Sequence, residues 1–70
     1  MQNKYKQVHL AIAEVMCVEP STIGPDEMLE FDSLEALELK HILAQQGLKF
    51  EDFVPAKATP RRLAEKAVRI

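Results

Sequence analysis

Between Asp32 and Gly47 the chain carries a start signal, a body and a stop signal for one helix, and that stretch limits what the other residues can build. Asp32 can accept a hydrogen bond from the first turn, and Glu35, three positions later, has the spacing of a capping box. Leu34 to Gln46 is rich in strong helix formers, and Gly47 supplies the stop. At about 100° per residue, Ala36, Leu39, Ile42 and Leu43 share one face, which reads as a core stripe. Leu34, Leu37, Glu38 and His41 gather on the opposite face, an apolar and acidic surface beside Ser33.

The rest of the chain must pack onto that stripe. A domain of 70 residues has little room for a second unit, so residues 1–70 read as a single domain with an economical core. Gln2 to Met16 is expected to form a first helix, with Tyr5, Val8, Ile12, Val15 and Met16 at helical spacing. Cys17 closes its apolar end and reads as a small buried hydrophobe. Pro20, Gly24 and Pro25 then break the pattern. Within the long loop that follows, Ile23, Met28, Leu29 and Phe31 are expected to fold back onto the core, because an unanchored linker is entropically costly. After Gly47, a short helical turn is expected around Glu51 to Val54. Thr59-Pro60 reads as a cap followed by proline at the first helical position. Leu63, Ala64, Ala67 and Val68 supply the apolar stripe of a last helix. The expected fold class is all-α, a small three- to four-helix bundle with a long acidic loop between its first two helices.

Charge narrows the partners. From Glu19 to Leu39 there are seven acidic residues and no Lys or Arg, which leaves four acidic and nine basic residues elsewhere. That acidic centre repels nucleic-acid phosphates and favours a partner with Lys and Arg on its face. No apolar run approaches membrane-spanning length. The polar start from Met1 to Gln7 lacks the pattern of a signal peptide, and the single cysteine suits a reducing compartment, so the expected address is the cytoplasm.

Autonomous catalysis finds little support. His41 lies eight residues beyond Ser33, about 12 Å along the helix axis and beyond hydrogen-bond reach. No Gly-x-Ser-x-Gly elbow, calcium loop or Gly-rich phosphate loop is present. His9 and His41 are isolated, so neither a catalytic residue nor a metal ligand is expected. What the start of the second helix does offer is unpaired N–H groups and a positive dipole end, where a phosphate on Ser33 would be favoured.

The run Asp32-Ser33-Leu34-Glu35-Ala36-Leu37-Glu38-Leu39 resembles the Asp-Ser-Leu motif of acyl and peptidyl carrier proteins. Its context matches as well: a helix, a long loop, then the motif opening a second helix. Ala58-Thr59-Pro60-Arg61-Arg62-Leu63-Ala64 resembles the Thr-Pro-x-x-Leu-Ala start of the last helix in peptidyl carriers, so the resemblance spans almost the whole chain. It implies a bundle of the acyl-carrier type and a freestanding, monomeric carrier. It further implies that Ser33, flanked by Asp32 and Leu34, is the attachment point of 4′-phosphopantetheine, donated from coenzyme A by a phosphopantetheinyl transferase. The thiol of that arm would hold fatty acyl, polyketide, aminoacyl or peptidyl groups as thioesters. The enzymes that load and use them would grip Leu34, Glu35, Leu37, Glu38 and His41 with basic docking surfaces. The chain departs from the family pattern just before the motif, where Leu29-Glu30-Phe31 stands in place of a Leu-Gly pair and a small residue. The competing expectation is a helical protein-interaction adaptor whose serine is never modified.

Overall fold

A computed structural model describes residues 3–70. Asn3 opens helix α1 (Lys4–Met16) by accepting a 2.8 Å hydrogen bond from the Tyr5 N–H. Gln2, expected in this helix, lies outside the described residues. Val8, Ala11, Ile12 and Val15 recur one and two turns apart, and all four are buried. Tyr5, at the helix start, is half-exposed instead. Cys17 ends the helix in the left-handed region at φ 58°, its N–H bonded back to the last turn. It is exposed, not buried, because the residue that turns the chain out of a helix leaves the stripe its predecessors follow. A 3₁₀ turn (Pro20–Thr22) then folds back on α1, where His9 Nε2 lies 2.8 Å from the Pro20 carbonyl oxygen. A carbonyl only accepts, so Nε2 carries the proton.

The descent into the second helix is extended. Strand β1 (Leu29–Glu30) leads to helix α2 (Ser33–Gln45), which ends at Gly47 with φ 79°. Glycine takes that left-handed conformation without the Cβ clash an L side chain meets. The turn sends the chain back along α2 as strand β2 (Leu48–Phe50). Strand β3 (Lys57–Ala58) precedes helix α3 (Pro60–Lys66), whose first turn is capped by the Thr59 hydroxyl accepting from the Arg62 N–H at 3.1 Å. Strand β4 (Ala67–Arg69) follows directly. Both sheets are antiparallel pairs: β1 with β3, and β2 with β4.

The architecture is therefore mixed α/β: three α-helices and two two-stranded sheets among the described residues, not the all-α bundle expected from the sequence. The correction concerns two segments. Residues 51–54 form no helical turn; they connect β2 to the loop before β3. The stripe of Leu63, Ala64, Ala67 and Val68 is divided, with Ala67 and Val68 drawn into β4 opposite Phe50 and Lys49. The cause is burial. Leu48 and Ala67 both reach 0% exposure in the extended ladder, and completely burying a leucine is worth roughly 1.5–3 kcal/mol. An isolated two-stranded ladder is marginal in water, so attachment to the core is what holds this one.

Helix α1 is the central element, with α2 and α3 each packed against it. Val8, Ile12, Leu39, Leu43, Leu48 and Leu63 are the largest completely buried side chains. Ile42, expected beside them, is only partly buried at the edge of the cluster. Of the loop residues expected to fold inward, Ile23, Leu29 and Phe31 are buried, whereas Met28 is exposed.

Candidate functional site

Ser33 is the first residue of α2, and its placement is set by what precedes it. Phe31 is buried, and its N–H donates a 2.7 Å hydrogen bond to the Ala56 carbonyl, extending the β1–β3 register of Leu29 with Ala58 and Glu30 with Lys57. Lys57 Nζ also lies 3.4 Å from Glu30 Oε1, both side chains largely in water. The two residues that depart from the carrier pattern thus have structural partners: Phe31 is an anchor, and Glu30 a rung. Asp32 alone separates that anchor from the serine.

At the helix start, Asp32 Oδ1 accepts from the Glu35 N–H at 2.7 Å, and Glu35 Oε1 accepts from the Asp32 N–H at 3.0 Å. This reciprocal capping box satisfies two backbone donors. The N–H groups of Ser33 and Leu34 are left to solvent at the positive end of the helix dipole. The Ser33 side chain is exposed, and its hydroxyl makes no hydrogen bond among the described residues. An unengaged hydroxyl at a fixed, positively polarised helix start can accept a phosphoryl-linked group without first breaking a contact. Ser21 is exposed too, but Thr22 is occupied, donating its hydroxyl to the Glu19 carbonyl at 2.6 Å.

Leu34 and Leu37 follow on the outer face at 63% and 62% exposure. Glu38 and His41 are exposed beside them, and Glu35 is partly buried by its role in the cap. The His41 and Gln45 side chains meet at 3.3 Å one turn apart. Structure thus brings Leu34, Leu37, Glu38 and His41 onto one surface with Ser33 at its upper end. The sequence reading missed Glu14 and Val15, near the end of α1, which line a groove together with Leu37, Glu38, His41 and Ile42. Only the packing of α1 against α2 reveals that proximity; each residue reads locally as part of its own helix.

No family model, curated protein or solved structure matches this chain. No helix among the described residues is long and apolar enough to cross a membrane.

Proposed function

We propose that this chain is a carrier domain whose Ser33 takes 4′-phosphopantetheine from coenzyme A through a phosphopantetheinyl transferase. The observation that carries the reading is the Ser33 hydroxyl: exposed, free of hydrogen bonds, and fixed at a capped helix start two positions from a buried anchor. The resemblance of residues 32–39 and 58–64 to carrier motifs supports it from the sequence side. The residues fit the group, because nothing occupies the hydroxyl and the helix start leaves the N–H groups of Ser33 and Leu34 unpaired. When bound, the arm supplies a thiol that holds acyl or aminoacyl groups as thioesters.

The chain's own part is placement and recognition. Asp32 and Glu35 keep the helix start closed. Leu34 and Leu37 can enter an apolar depression on a partner enzyme, while Glu38 sets the charge around them and exposed His41 borders them. The acidic rim steers Lys- and Arg-bearing loading ligases and synthases into register. A cytoplasmic address accords with a single unpaired thiol at Cys17. The departures from an all-helical bundle leave the start of α2 intact; β1 and β3 brace it.

Incubation with coenzyme A and a broad-specificity phosphopantetheinyl transferase should add one phosphopantetheine by intact mass, and Ser33→Ala should abolish it. Addition at Ser21 instead would refute the assignment. No addition with several transferases favours the other reading, an unmodified adaptor, for which the exposed Leu34 and Leu37 are the supporting observation.

A further inference from the structure

Helix α1, like α2, leaves apolar area outside the core. Tyr5 is 50% and Leu10 44% exposed, and with Pro20 and Ile23 they line a groove of about 490 Å³ between α1 and the 3₁₀ turn. Tyr5 and His9 also line an adjoining hollow of about 210 Å³ against Pro25 and Pro60. The walls are stiff, because each proline fixes its own φ and His9 Nε2 donates to the Pro20 carbonyl at 2.8 Å. Lys6, His9 and Arg61 line the two hollows, and among the described residues no carboxylate does. Asp26 offsets Arg61 at 3.4 Å. Exposed Lys6 forms no ion pair among the described residues, and Lys4 Nζ stands 5.9 Å from the centre of the Tyr5 ring. An apolar groove beside two ammonium groups takes an apolar body that carries carboxylates.

The outer face of α2 has that chemistry. Leu34, Leu37 and His41 fall at the spacing by which a helix lays one face into a groove. Exposed Glu38 stands beside Leu37 and forms no ion pair among the described residues. The α1 groove and this face have no residue in common, so one copy can offer both at once. We propose that the α2 face of one copy docks in the α1 groove of a second copy, with Leu34 and Leu37 against Tyr5 and Leu10, and Glu38 against Lys6. Pairing two α2 faces would bring acidic rim to acidic rim, whereas this contact joins opposite charges. One patch meets a different one, so the contact builds rings or open chains and not a closed pair. It also covers the apolar surface beside Ser33, whether or not that serine is modified.

Sedimentation velocity of the intact chain from about 10 μM to about 1 mM, a range in which small weak contacts populate, tests it. The average mass should rise past that of a pair, and the amide shifts of Tyr5, Leu10, Leu34 and Leu37 should move together. Leu37→Ala should weaken association severalfold at an unchanged melting temperature. Lys6→Glu and Glu38→Lys should each weaken it about two- to fivefold, a loss that high salt reduces. An equimolar mixture of these two charge variants should restore association, because each then meets a surface of opposite charge. A chain that is monomeric at the highest concentration, or a mass that stops at a pair, would overturn the contact. So would association that Lys6→Glu leaves unchanged or that the mixture fails to restore. Phosphopantetheine addition is read separately by mass, so a monomer still modified at Ser33 refutes this contact and leaves the carrier reading standing.

Discussion

Helix α2 carries two pairs of leucines that the same short stretch of sequence sends to opposite fates. Leu39 and Leu43 are both at 0% exposure against α1, while Leu34 and Leu37 keep 63% and 62% of their surface in water. The residue type is constant, so the contrast comes from angular position alone. One face is already used in holding the helices together. The other retains apolar area that folding does not need, next to a serine whose hydroxyl is unengaged. Leu34 and Leu37 thus stay exposed beside Glu38, on the face that begins at Ser33.

The contrast can be broken first by truncating each face. Leu43→Ala should lower stability by about 2–5 kcal/mol, a large share of what so small a domain holds. Leu37→Ala should leave the melting temperature nearly unchanged yet slow loading by a cognate enzyme. Equal destabilisation by the two, read by thermal circular dichroism, would erase the distinction between faces. Asp32→Ala tests the boundary between them, because it opens the cap that Ser33 follows. A loss of about 1 kcal/mol is expected, together with faster amide exchange in the first turn of α2. The smallest effect belongs to the rung beside the site. Lys57→Ala removes the exposed pair with Glu30 and should change stability by no more than about 0.5 kcal/mol. A larger loss in urea denaturation would assign the β1–β3 ladder a bigger part in holding Ser33 than its backbone bonds supply.

What could be read in advance follows a physical line. The capping box of Asp32 and Glu35, the Gly47 stop and the Thr59-Pro60 start are local, each set by residues within a turn of one another, and each is present in the structure. The strands were not legible because their stabilisation is not local. Leu48-Lys49-Phe50 alternates apolar and polar residues, but three residues are too few for period two to mark a strand. Ala67 and Val68 fit a helical stripe, and only the arrival of β2 opposite them makes extension preferable. The exposed half of α2 followed from periodicity, whereas Glu14 and Val15 join it through packing between helices. Cys17 was misplaced for the reason that a helix end is a change of direction, which an apolar pattern does not record.

The anchor at Phe31 has a mechanical consequence. With one residue between a side chain locked in the core and Ser33, the serine has almost no lever of its own. A fluorophore joined to Ser33 through a short rigid linker would tumble at the rate of the whole body. Through a long flexible linker, it would lose its polarisation faster than the protein turns. The hinge of any tethered group therefore lies in the tether, and the protein serves as a stationary base.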